Sequence, residues 1–181
     1  MDPEKEDDFF DQVDWERLEI ASAKLILDQS EKQLKETIDT ANQLYNRATY
    51  IIGCSIPIEI GLFGYLASKY EKPDFLFLLA FLGFLLMSVV LFLCFKVYYL
   101  YPIRPLGNTP KNILSNKEYI AHPDQELVFL YNCIRTAQAS SDFNMAKNKE
   151  RAEIIKTIFY IIGAGLATLL LILIVETVFR P

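Results

Sequence analysis

Three long apolar stretches interrupt an otherwise polar chain of 181 residues. They run from Ile51 to Ser68, from Phe75 to Phe95 and from Thr157 to Val175. Each has about the length that an α-helix needs to cross the hydrocarbon core of a bilayer. The second and third contain no charged residue, whereas the first contains Glu59. The pattern predicts an all-α membrane protein with three transmembrane helices.

Helical spacing of apolar residues continues in the polar segments that precede the first and third stretches. Before the first, residues recur every seven positions, with companions four positions on: Ile20, Leu27, Leu34, Ala41, Ala48, Ile38 and Tyr45. Before the third, spacings of seven and four relate Leu127, Tyr131, Ile134, Ser141, Met145, Ala152 and Ile155. Such repeats are typical of helices that pack side by side. We therefore expect two long cytoplasmic helices that form a stalk and lead directly into the first and third spans.

These patterns divide most of the chain into seven parts, with a hairpin at 69–74 between the first two spans and a short tail after 175. Each of the two cytoplasmic helices leads directly into the span that follows it. A proline-broken loop separates the second span from the second cytoplasmic helix. The predicted parts are an acidic segment (1–14), a cytoplasmic helix (15–50), transmembrane helix 1 (51–68), transmembrane helix 2 (75–95), a cytoplasmic loop (96–123), a cytoplasmic helix (124–156) and transmembrane helix 3 (157–175).

The distribution of lysine and arginine predicts the orientation in the membrane. Of the eighteen basic residues, two lie in the hairpin 69–74 and one in the tail after 175. The other fifteen lie before the first span, in residues 1–50, or between the second and third spans, in residues 96–156. Because basic residues are retained on the cytoplasmic side, we expect a cytoplasmic N-terminus, an external C-terminus and a bacterial inner membrane.

Glu59 is the first candidate functional residue, because a carboxylate near the centre of a span costs about 2.5–3.5 kcal/mol. Pro57 cannot donate a backbone hydrogen bond to Gly53, which predicts a kink beside this carboxylate. Ser55, Leu62 and Leu66 share the helical face of Glu59. If this face lines a central axis, it provides a hydroxyl ring, a carboxylate ring and an apolar constriction. The alternative is a hydrogen bond within one subunit, for example to Ser88 or Thr168.

A basic cluster before the third span is the second candidate. Lys147, Lys149, Arg151 and Lys156 could anchor the helix at a membrane with anionic lipids, or Lys147, Lys149 and Arg151 could bind a phosphate-bearing ligand. In the third span, Gly163 and Gly165 indicate close packing of helices.

The sequence contains no catalytic or metal-binding motif, and it has one histidine and three widely separated cysteines. We therefore expect neither an enzyme nor a cofactor nor a metal site.

The layout resembles that of small membrane effectors of bacterial anti-phage defence systems: SLATT-type domains, Pycsar transmembrane effectors and the Hailong-type channel effector. The resemblance covers about residues 35–178. Its features are a long helix entering the first span, the hairpin KYEKPD, the proline-broken segment that starts PIRPLGNTP, and the helix LVFLYNCIRTAQASSDFNMAKNKERAEIIK before the last span. Tyr131, Asn144, Lys147, Lys149 and Arg151 look like the aromatic, asparagine and basic positions of such families.

The resemblance implies a homo-oligomeric channel or pore, gated by a nucleotide or oligonucleotide signal from a partner nucleotide-synthesising enzyme. A membrane adaptor that recruits a cytosolic partner, and a transporter subunit that uses Glu59 for protons or cations, remain alternatives. For a channel, we expect the acidic N-terminal segment and the stalk to control the closed state.

Overall fold

The computed structural model describes residues 14–99, 103–105 and 124–179, and three long helices account for nearly all of them. They are α1 (Ile20–Lys69, 50 residues), α2 (Phe75–Tyr99, 25 residues) and α3 (Gln125–Phe179, 55 residues). All three are long and apolar enough to cross a membrane. The predicted all-α fold with three such helices is thus confirmed. Residues 1–13 of the acidic segment, most of the loop between α2 and α3, and the last two residues lie outside the described part.

The ends of the helices differ from the predicted ends by a few residues. A short 3-10 turn, Trp15–Arg17, precedes α1, which begins at Ile20 and passes through Pro57 without a break. At the hairpin, the backbone N–H of Phe77 donates to Asp74 Oδ1 over 2.8 Å, so Asp74 caps the first turn of α2. α2 ends at Tyr99.

The chain forms two compact units. The first unit comprises Met1–Ala41 and Ile103–Ala146, and the second comprises Asn42–Pro102 and Lys147–Pro181. α1 and α3 each contribute to both units.

In the first unit, α1 and α3 run parallel. Lys24 pairs with Glu126 over 2.7 Å near the start of both helices, and Thr37 contacts Asn144 farther along both. Apart from the adjacent pair Ser140 and Ser141, the buried positions recur at spacings of seven, four and three, as in a coiled-coil seam. They are Ala23, Ser30, Leu34, Thr37 and Ala41 on α1, and Leu130, Ile134, Ala137, Ser140, Ser141 and Asn144 on α3.

The predicted stripes are wrong by one residue at their companion positions, which are placed four residues after the heptad positions. Thr37, three residues after Leu34, is buried, whereas Ile38, four residues after it, is only half-buried. On α3, Asn144 is buried and its apolar neighbour Met145 is 42% exposed. The prediction followed apolar residues, but polar side chains that form hydrogen bonds occupy some positions of this seam.

In the second unit, α2 packs antiparallel to α1. Tyr98 near the end of α2 contacts Tyr45, and Ser88 contacts Glu59, which lies farther along α1. Leu44, Ala48, Val97 and Ile155 form one buried cluster of the three helices. Val90, Cys94 and Ile158 form a second.

Among the described glycines, Gly165 is the one at which α3 packs most tightly against α2. A Cβ atom at this position would overlap Cδ1 of Leu86 and lie 3.2 Å from its Cγ. At Gly163 a Cβ would meet nothing within 4 Å. Of the two glycines predicted to allow close packing, Gly165 is the one in contact with another helix here.

Candidate functional site

Glu59 and Ser88 form a polar pair within the described part of the apolar helices. Glu59 of α1 is half-buried, and its Oε1 accepts a hydrogen bond of 2.5 Å from Oγ of Ser88 on α2. A hydrogen bond to the carboxylate offsets part of the cost of removing it from water. The structure thus contains the within-chain bond to Ser88 that the sequence left open as an alternative. Thr168 instead donates to the carbonyl of Ala164 in its own helix, over 2.9 Å.

The four predicted pore-lining residues share the face of α1 that packs within the second unit. Ser55 is only 2% exposed, and Glu59, Leu62 and Leu66 are half-buried. Cδ1 of Leu62 lies 3.5 Å from the place where a Cβ on Gly83 of α2 would stand. Within one chain, this face is therefore turned toward α2, and its pore-lining role stays a prediction.

A cluster of polar and aromatic residues, which we call the tyrosine–arginine node, joins all three helices of the second unit. It consists of Tyr45 and Thr49 of α1, Tyr98 of α2, and Asn148 and Arg151 of α3. The rings of Tyr45 and Tyr98 stack with centroids 5.2 Å apart and planes 21° from parallel. The Tyr98 hydroxyl donates to the carbonyl of Tyr45 over 3.1 Å and contacts the hydroxyl of Thr49.

Arg151 is the buried centre of this node, with an exposed fraction of 0%. Its Nη1 donates to Asn148 Oδ1 over 2.7 Å, and its Nη2 donates to the Tyr45 hydroxyl over 2.9 Å. The guanidinium carbon lies 4.9 Å from the centroid of the Tyr45 ring. A buried guanidinium is tolerated where acceptors and an aromatic face replace water. Arg151 therefore links α3 to α1.

The three residues of the predicted basic ligand site, Lys147, Lys149 and Arg151, differ in burial and in their partners. Lys147 pairs with Glu150 of its own helix over 3.0 Å, and Lys149 is exposed. Successive positions on an α-helix are about 100° apart, so Lys149 lies on another side of α3 from Lys147 and Arg151. Because Arg151 is buried, the structure leaves the two lysines as the accessible members of this cluster. The predicted ligand-binding role of the cluster stays untested.

A second polar arrangement, which we call the Asn144 clamp, lies in the first unit. Oδ1 of Asn144 accepts from the backbone N–H of Arg104 over 2.9 Å, while its Nδ2 donates to the carbonyl of Arg104 over 3.0 Å. Nδ2 also lies 3.3 Å from the hydroxyl of Thr37 on α1. The Arg104 guanidinium lies 4.2 Å from the centroid of Phe143. One amide thus holds the segment 103–105 and α1 against α3.

An aromatic contact joins the turn before α1 to α3. The ring of Trp15 meets that of Tyr131 edge-on, with centroids 4.6 Å apart. Both residues belong to the first unit. The chain that follows the acidic segment therefore packs on α3.

Sequence reasoning missed both polar arrangements, although the chain carries a signal for them. Ser141, Asn144, Asn148 and Arg151 are spaced by three, four and three residues, and Ile155 and Ile158 continue that spacing. Polar residues in step with a buried apolar repeat indicate hydrogen bonds within a helix interface.

No protein-family model, curated protein or solved structure matches the chain. Its function is therefore inferred from its residues and their geometry.

Proposed function

We propose that the protein is a membrane effector of a bacterial anti-phage defence system. It forms a homo-oligomeric ion channel in the inner membrane, and a nucleotide signal made by a partner enzyme gates this channel. The observation that supports ion conduction is the half-buried Glu59 within an apolar helix, which accepts a hydrogen bond from Ser88. The defence role rests on the resemblance to small membrane effectors.

Glu59 supports an ion pathway because ionisable residues within spans face protein or water and mark routes for ions. Three helices cannot enclose an aqueous pore, so several copies are required, and cyclic symmetry is the usual solution. In the assembled channel, the edge between α1 and α2 lines the axis. The Ser88 hydroxyl holds the carboxylate in place at this edge, which would favour cations over anions.

Gating starts at the cytoplasmic parts of α1 and α3. A phosphate-bearing signal contacts Lys147 and Lys149, which lie four and two residues before Arg151 on the same helix. Because Arg151 bonds Tyr45 of α1, a displacement of this part of α3 changes the contact between the two helices. A signal shifts the equilibrium only if it binds the open and closed states with different affinities.

Ion flux in liposomes tests the proposal. Purified protein should release a cation gradient, and the signal from the partner enzyme should change the rate at least tenfold. Replacing Lys147 and Lys149 with glutamine should remove that response and preserve helical content. Lys32→Gln with Lys35→Gln is the matched control, which should respond like the parent protein. Absence of flux with and without the signal would contradict the channel.

A non-conducting adaptor is the second candidate. Leu25 and Ile26 lie in the polar part of α1 and are 62% and 38% exposed, which favours contact with another protein. An adaptor would retain a soluble partner on liposomes without ion flux, so the same preparation separates the two functions.

A further inference from the structure

The second unit brings one basic residue from each helix to the same level. Ala48, Val97 and Ile155 pack together in one buried cluster. Their sequence neighbours are Arg47 on α1, Lys96 on α2 and Lys156 on α3, and all three are exposed. Each cation is adjacent in the sequence to one residue of this buried cluster. The three cations therefore lie around the cluster at about the same level. We call them the basic belt.

The positive charge of this belt is largely unneutralised. Within residues 14–99, 103–105 and 124–179, neither Arg47 nor Lys96 has a carboxylate within ion-pair distance. Lys156 pairs with Glu153 over 3.7 Å, but both side chains are more than half exposed, at 58% and 65%. A pair of that kind contributes little in water.

Exposed tyrosines place the belt at one boundary of the apolar region. Each cation is followed by a tyrosine three or four residues on in the same helix: Tyr50, Tyr99 and Tyr160. These side chains are 76%, 91% and 66% exposed. Tyrosine rings are enriched at the depth of lipid headgroups, where one end of the ring meets hydrocarbon and the other meets water.

We propose that the basic belt binds the headgroups of anionic phospholipids. The charge is complementary, the three side chains are exposed, and the neighbouring residues are tyrosines, a type enriched at the depth of lipid headgroups. This surface shares Lys156 with the basic segment before the third span, but it adds Arg47 of α1 and Lys96 of α2 and does not include Lys147, Lys149 or Arg151. It includes residues that are far apart in the sequence, and its lipid preference does not depend on ion conduction.

Native mass spectrometry of the detergent-purified full chain tests this proposal. Delipidated protein is mixed with equal amounts of phosphatidylglycerol and phosphatidylcholine, and the lipids that remain bound are counted. The parent protein should retain phosphatidylglycerol preferentially. Arg47→Gln, Lys96→Gln and Lys156→Gln together should remove that preference, with each cation contributing about fivefold.

Two further variants control for charge and for folding. Lys35→Gln, Lys69→Gln and Lys72→Gln together remove the same charge from exposed positions outside the belt, and this variant should keep the preference. Arg47→Lys, Lys96→Arg and Lys156→Arg together keep the charge and should also retain it. If the glutamine variant fails to fold, 0.5 M salt should weaken the preference of the parent protein by competing for the belt.

Three results would overturn the proposal. The first is an unchanged lipid preference in the folded glutamine variant, or in the parent protein at high salt. The second is an equal loss in the control that lacks Lys35, Lys69 and Lys72. The third is displacement of the lipid by millimolar inorganic phosphate, which would indicate a site for a soluble anion instead of a lipid surface.

Discussion

Ser88 donates a hydrogen bond of 2.5 Å to Glu59, and the two residues belong to different helices that are long enough to cross a membrane. The bond fixes a carboxylate between α1 and α2. If the channel proposal is correct, the same carboxylate determines which ions pass.

Glu59→Gln should therefore lower the preference for cations while the protein still assembles, since a glutamine oxygen can accept the bond from Ser88. Reversal potentials in planar bilayers between pH 4 and pH 8 measure the change. Ser68→Ala is a suitable control, because Ser68 donates to the carbonyl of Tyr65 in its own helix. Unchanged selectivity across that pH range would remove Glu59 from the ion path.

Ser88→Ala should reduce stability by about 1–3 kcal/mol, because it removes a hydrogen bond to a charged group in a poorly solvated place. Unfolding in mixed micelles by added denaturing detergent measures the loss. Ser88→Thr retains a hydroxyl and should recover part of the stability. A neutral effect of Ser88→Ala would show that water or another group replaces the bond.

Gly165→Ala should be less stable than Gly163→Ala by about 1 kcal/mol, since the new methyl group would overlap Cδ1 of Leu86 and force that side chain out of its rotamer. Gly163→Ala is the matched control two residues away, where the methyl group meets nothing within 4 Å. Leu86→Ala in the Gly165→Ala background should restore part of the loss. Equal stabilities of the two alanine variants would contradict this packing between α2 and α3.

Asn144→Ala should release the segment at Arg104, because the amide binds both the N–H and the carbonyl of that residue. The amide hydrogen of Arg104 should exchange with solvent at least tenfold faster. Asn132→Ala removes a side chain that bonds the carbonyl of Val128 in its own helix, and it should leave the exchange at Arg104 unchanged. Equal exchange in the parent and in Asn144→Ala would exclude the clamp.

The thiol of Cys133 should react slowly with alkylating reagents. Burial raises its pKa above the ordinary value, and the Glu31 carboxylate raises this pKa further. Because the thiolate is the reactive form, the rate should be lower than for a free cysteine near pH 8 and should continue to rise at higher pH. Measurements in a variant with Cys54 and Cys94 replaced by alanine isolate this thiol, and Glu31→Gln should increase its rate. The rate of a free thiol at pH 8 would contradict the raised pKa.

The sequence by itself determined the helical class and the three helices that are long enough to cross a membrane. Runs of 18 residues or more without breaks, such as Phe75–Phe95, need no distant contact to be recognised, since their length and composition match the bilayer. It also pointed to Glu59, because a carboxylate among apolar neighbours has few permitted environments.

Only the tertiary structure decided which side chains meet. Arg151 could be assigned to a ligand from its basic neighbours, yet the contact with Tyr45, 106 positions away in the chain, buries it. Arg47, Lys96 and Lys156 belong to three separate segments, and they share a level because Ala48, Val97 and Ile155 pack together. Spacing along one helix gives the face on which a residue lies, but the partner of that face depends on how the helices pack, which is a property of the whole chain.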